Sequence, residues 1–284
     1  MSCAEPALQG ETAPAGWQAE LALRLAHRDG RTRVVQRRHR GPLNLQRAFY
    51  PEGEVAHLYL LHPPGGVVGG DDLQIDIQVD AGGHAVVTTP AAGKLYRSDG
   101  RRARLRQTLK LEPAAVLEWL PQETIVYAGA EADSLTRVEL QPGSRFIGWE
   151  MLCLGRPAAG EAFEHGDLRQ RFEIWRQGQP LWLERARFIG GSAALAAAWG
   201  LHGRPLAATL VAVGSAHDLA PRIRNEVEVG PDEAFAVTQL DDVLVCRYLG
   251  VQAQRARQCL TRAWQLVRPA LLGCEACVPR VWNT

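Results

Sequence analysis

A chain of 284 residues can bury a substantial core, as one large domain or two small ones. Its 46% hydrophobic and 22% charged residues are those of an ordinary soluble globular protein. The 32 basic side chains nearly cancel the 31 acidic ones, and a net charge of +1 excludes a general nucleic-acid binder or a polyanion-seeking surface.

In chain order, residues 1–16 read as a loose tail of small residues, without the basic region and apolar core of a signal peptide. Residues 17–284 read as a single β-rich domain. Trp17, Ala19, Leu21, Leu23 and Leu25 alternate with polar neighbours, the period of a half-buried strand. Leu73, Ile75, Ile77 and Val79 repeat the pattern, as do Ala103, Leu105, Gln107, Leu109 and Leu111. Further strands are expected over Arg145 to Leu154, Arg169 to Trp175 and Leu181 to Phe188. The last two flank Arg176-Gln177-Gly178-Gln179-Pro180, a turn sequence that predicts a hairpin. The apolar run from Ser192 to Trp199 is about half the ~20 residues of a membrane span. Ser215, with Asp218 three residues on, predicts a helix start that puts Leu219 and Ile223 on one face. A longer helix follows, with Ala256, Cys259/Leu260, Ala263, Leu266/Val267 and Ala270/Leu271 on its stripe; Pro269 should end or bend it.

His62-Pro63-Pro64-Gly65-Gly66-Val67-Val68-Gly69-Gly70-Asp71-Asp72 follows an apolar strand. Glycines allow close approach of a ligand or another chain, so the segment could hold an anion or metal; a tight corner between β-layers is the plainer reading. Thr88-Thr89-Pro90-Ala91-Ala92-Gly93-Lys94-Leu95 contains a Gly-Lys pair. It lacks the glycine five residues earlier and the following hydroxyl of a phosphate-binding loop, which excludes a nucleotide site there. Cys274-Glu275-Ala276-Cys277 has the spacing of half a zinc site or a redox pair, yet Cys246 and Cys259 stand at no recognised spacing from it. With Cys3 and Cys153 they make six cysteines, read as free thiols in a reducing cytoplasm. No nucleophile elbow and no helix-spaced histidine pair is present. Glu118, Glu123, Glu161, Glu164 and Asp167 read as strand-surface charges. Glu150 and Glu184 follow bulky apolar residues and are expected to be partly buried with a partner.

The glycine-rich string from His62 to Asp71 and the string from Thr88 to Ser98 resemble the signatures of the UreD (UreH) urease accessory proteins. Leu117-Glu118-Trp119-Leu120-Pro121-Gln122-Glu123-Thr124, Cys153-Leu154-Gly155-Arg156 and Arg187-Phe188 agree in order and spacing. Relatives often carry threonine where Gly93 stands. The resemblance implies a mainly β fold: a layered, β-helix-like array of strands with two α-helices toward the C-terminus. It implies a non-enzymatic chaperone in the cytoplasm that docks on apo-urease and binds UreF. Through UreF it recruits the GTPase UreG, and nickel passes in transit with no tightly bound cofactor. By the same resemblance, Thr88, Thr89, Glu150 and Glu184 would line a polar passage. The helical C-terminal region, with Arg255, Arg257, Arg262 and Trp264, would face UreF, while Gly65, Gly66, Gly69, Gly70 and Asp71 form a structural loop. The alternative is a metal-dependent hydrolase built around His62, Asp71 and Asp72. No nucleic-acid or membrane partner is expected.

Overall fold

The computed structural model describes residues 16–214 and 219–283. Most of the anticipated tail 1–16, Cys3 and the predicted helix start Ser215 to Asp218 lie outside the described residues. The strands are β1 (Gln18–Arg28), β2 (Arg31–Arg40), β3 (Asn44–Leu45), β4 (Ala56–Leu61), β5 (Asp72–Val79), β6 (His84–Thr88), β7 (Gly93–Leu95), β8 (Ala103–Leu111) and β9 (Val116–Leu120). They continue as β10 (Thr124–Val126), β11 (Glu131–Leu140), β12 (Arg145–Leu154), β13 (Asp167–Arg176), β14 (Gln179–Ile189), β15 (Leu206–Val213), β16 (Ala234–Leu240) and β17 (Val243–Gly250). The α-helices are α1 (Ala193–Ala196), α2 (Leu219–Glu226) and α3 (Ala253–Leu272).

Two sheets face each other. One runs β14-β13-β11-β8-β5-β1-β2, and the main path of the other runs β16-β17-β15-β12-β9-β6-β4-β3. From β4 to β13 the chain crosses between them in turn: β4, β6, β9 and β12 pair in parallel in the second sheet, and β5, β8, β11 and β13 do so in the first. This is a β-solenoid-like coil, closed by antiparallel hairpins. The β1–β2 and β13–β14 hairpins turn on Asp29-Gly30 and Gln177-Gly178. Their φ values of 50° and 72°, then 50° and 78°, are the doubly positive pair that matches strand twist.

Strand period sets three layers. The inward faces of both sheets enclose Leu21, Leu25, Ile77, Leu109, Val138, Phe146 and Phe172. The far face of the second sheet packs Ile147, Trp149, Leu210 and Cys246 against Ile223 of α2 and Leu260, Ala263, Trp264 and Val267 of α3. The far face of the first sheet is solvated and charged, with Arg24 on Asp80 and Arg106 on Asp72. Parallel sheets usually bury both faces; here cross-strand ion pairs cover one of them.

Three details differ from the sequence reading, and the end of α3, in the turn that holds Pro269, agrees with it. The run Ser192 to Trp199 adds a short third helix, α1, and ends on Trp199, which is 77% exposed. Trp17 precedes β1 and is 55% exposed, so the buried stripe starts at Ala19. Helix α3 passes Pro269 and stops at Leu272, where Gly273 adopts φ 73° and returns its amide to the Pro269 carbonyl. Glu118 is not a strand-surface charge: it shares the α3-facing side of β9 with Val116 and Leu120 and is fully buried. No described helix is long and apolar enough to cross a membrane.

Candidate functional site

Between the two sheets lies a cavity of about 250 Å³. At the loop end it is lined by His62, Gly65, Gly66 and Thr89 to Lys94, and inside by Gln107, Thr136, Gln170 and Glu150. The polar side chains come from both layers. Glu150 of β12 accepts a hydrogen bond from the Gln170 amide of β13, and the Thr136 hydroxyl donates to Gln107 of β8 at 3.2 Å. Beside them Glu184 of β14 accepts from the Thr209 hydroxyl of β15 at 3.3 Å, while its Oε2 is buried without a partner. A polar tier thus bridges the sandwich inside an otherwise apolar core.

Its electrostatics follow from enclosure. Burial pushes the Glu150 carboxyl up to about 7, against the hydrogen bonds of Thr136 and Gln170 and with help from the Glu184 charge. Burial also raises the Glu184 carboxyl, although Arg247 at 3.7 Å and Thr209 pull it back. Burial lowers the His62 imidazole, only partly offset by Asp71, and Nε2 of His62 is buried without a partner. The tier therefore offers oxygens and one neutral ring, with Arg247 beside Glu184 and Lys94 at the loop end of the cavity.

Period two also decides which predicted residues belong. Thr89, the residue after β6, continues on the inward side of Ala85 and Val87 and lines the cavity. Thr88 points the other way, with Val86; its hydroxyl donates to the Leu120 carbonyl at 2.5 Å and accepts from the Trp282 indole at 2.8 Å. Thr88 is therefore removed from the passage lining by the strand pleat.

The glycine-rich loop is a corner. Both oxygens of Asp71 are taken by backbone amides, Trp17 at 2.8 Å and Val68 at 3.0 Å. A side chain at Gly66 would meet the Tyr96 ring, and one at Gly69 would meet Ser98 and Arg101. Asp72 is paired with Arg106 at 2.9 Å. With Asp71 tied to the backbone and Asp72 on the solvated sheet face, the hydrolase alternative loses two of its three donors.

A family model for the UreD urease accessory protein matches residues 18–283. The chain is also 47% identical over 272 residues to the urease accessory protein UreD of Azoarcus sp. strain BH72, covering 95% of each chain. The chain belongs to the UreD family. With that comes a role in urease maturation. The UreD proteins of Citrobacter koseri and Pseudomonas entomophila are 43% and 44% identical over 274 and 269 residues, covering 96% and 95% of this chain and 94% and 95% of theirs.

In this UreD-family chain the C-terminal candidates separate by depth. Arg255 bonds Glu233 at 3.0 Å, Arg257 donates to Gln122 at 2.7 Å, and Arg262 pairs with Glu226 on α2. Arg255 and Arg262 lie on the flank of α3 toward α2 and the segment after it, and Arg257 lies on the opposite flank. Trp264 is fully buried; its indole donates to Glu118 at 2.6 Å, so it holds the helix and presents no surface to a partner. Composition and periodicity missed the reason: Arg268 is also fully buried, bonded to Glu118 at 3.0 Å and to Glu52 at 2.7 and 2.8 Å. Its position on the α3 stripe, beside Val267 and one turn after Trp264, was the available signal.

Proposed function

We propose that this protein is a non-enzymatic scaffold of urease maturation. It docks on apo-urease, binds UreF and through it the GTPase UreG, and lets nickel pass through the polar interior toward the urease active site. The observation that carries this reading is the tier of Glu150, Gln170 and Thr136 in the cavity between the sheets, reached from the loop of Thr89 to Lys94, with Glu184 beside it and outside the cavity lining. Polar groups in a sandwich core cost stability unless they are hydrogen-bonded, and Oε2 of Glu184 is left without a partner. A travelling ion needs oxygen donors that bind weakly enough to release; thiolates at each station would trap it. A carboxyl raised to about 7 exchanges a proton for a cation near neutral pH, so Glu150 can load and unload without leaving a bare buried charge.

The test is reconstitution with apo-urease, UreF and UreG. Glu150→Ala and Glu184→Ala should lower the nickel content and activity of urease while the complex still co-purifies. Full activation of apo-urease by UreF and UreG without this protein would sink the proposal. Normal nickel content with both variants would leave docking and remove the passage.

A further inference from the structure

Where α3 ends, the chain folds back over the buried ion network, and Cys277 arrives beside two side chains from the opposite end of the sequence. The ligand atoms of Glu52, His57 and Cys277 all lie within 4.8 Å of one another. His57 is fully buried on the α3-facing side of β4; one ring nitrogen, Nε2, sits 2.6 Å from Glu52 Oε1, and the other, Nδ1, is buried with no partner. The Arg268 guanidinium fixes Glu52 from the other side and also bonds the Glu275 carbonyl, which pins the segment carrying Cys277. We propose that Glu52, His57 and Cys277 form a site for a borderline-soft divalent ion of the zinc, cobalt and nickel kind, closing the C-terminal segment onto the β-body.

The chemistry fits in three ways. An imidazole, a thiolate and a carboxylate together select such ions over magnesium or calcium, which prefer oxygens alone. Nε2 of His57 and Oε1 of Glu52 already face each other at 2.6 Å, so an ion bound between them takes the place of that hydrogen bond and Nδ1 keeps its hydrogen. Charge also balances. Glu52 and Glu118 exceed Arg268 by one negative charge. A Cys277 thiolate makes two, and one divalent ion cancels them. Donors on one tetrahedral ion stand roughly 3.3–3.8 Å apart, so closure asks for a shift of about 1 Å. Residues 276–279, beyond the pinned Glu275, carry no helix or strand and can supply it. The sequence pattern Cys274-x-x-Cys277 was half of a site; its other half comes from Glu52 and His57 in place of further cysteines.

This site lies on the α3 side of the second sheet, away from the inter-sheet cavity, and does not depend on the passage. The experiment titrates cobalt(II) into the full-length chain and reads the thiolate-to-cobalt charge-transfer absorption. A thermal melt with zinc(II) runs in parallel. The expected result is a saturable band and a zinc-dependent rise in melting temperature, both lost in Cys277→Ser, with metal-free circular dichroism unchanged. Glu52→Gln should weaken cobalt affinity by about a hundredfold or more, since an outer-sphere partner alone is worth about tenfold to a hundredfold. Loss of the band in Cys274→Ser as well would add that sulfur as a fourth donor and support the site. A wild-type chain without the band, or a Cys277→Ser chain that keeps it, overturns the proposal. Because no urease is present, these outcomes are independent of nickel delivery.

Discussion

Arg268 and Glu118 meet where neither touches water, and each depends on the other to be there. For Arg268, burial disfavours the charge, but the neighbouring carboxylates Glu118 and Glu52 more than compensate and hold it firmly protonated. Removing the guanidinium alone leaves two carboxylates without their counter-charge. Arg268→Met is therefore expected to cost about 3–5 kcal/mol, read from the midpoint of urea unfolding. Glu52 adds a pH dependence. Burial disfavours its ionisation, yet the hydrogen bonds of His57 and Arg268 outweigh that and hold its carboxyl below the usual range. Its stabilisation is thus present above the unfolded carboxylate pKa and is lost as pH falls through the folded one. Glu150 has the opposite sign. Its carboxyl is raised to about 7, so its contribution is complete below the unfolded value of about 4.3 and is lost as pH rises toward 7. Glu150→Gln should gain on the order of 3 kcal/mol relative to wild type across that window, measured by denaturation at a series of pH values.

At the scale of elements, the strand alternation predicted which residues point together, and most of it was legible. Ala19, Leu21, Leu23 and Leu25 face the core as read, and so do Leu73, Ile75, Ile77 and Val79. The hairpin between β13 and β14 lies where Gln177-Gly178 put it. Gln177 holds φ 50° on an exposed turn, a conformation asparagine accepts more readily than glutamine. Gln177→Asn should raise stability by up to about 1 kcal/mol in thermal unfolding. In the glycine-rich loop the constraint is space: Gly66→Ala must displace the Tyr96 ring and is expected to cost about 1–3 kcal/mol. Alternation could not say what covers each face. The family resemblance named Thr88 and Thr89 alike, although the chain sends Thr89 to the cavity and Thr88 to Trp282.

The whole molecule is a sandwich with one helical cover. Trp149, Met151, Leu210, Ala212 and Cys246 of the second sheet are buried by α2, α3 and the segment after α3. Deleting residues 253–283 would expose this face and remove Arg268 from Glu118. The apolar area lost outweighs a net stability of about 5–15 kcal/mol, so the truncated chain should fail to stay monomeric by size-exclusion chromatography. The exposed Trp199 and the ion-paired Arg255 and Arg262 of α3 sit on surfaces of different kinds, one apolar and one charged.

By itself the sequence determined the strands, their faces, the tight turns and the amphipathic last helix, because each depends on neighbours within a few positions. Its motifs also carried the family. Only the tertiary structure decided that Glu118 is buried against Arg268, that Glu150 and Glu184 share a tier between the sheets, and that His57 and Glu52 meet Cys277. The physical reason is that period fixes a side chain's direction, while its charge, hydration and partners depend on the layer that folds over it, and in a coiled β-sandwich that layer comes from distant chain.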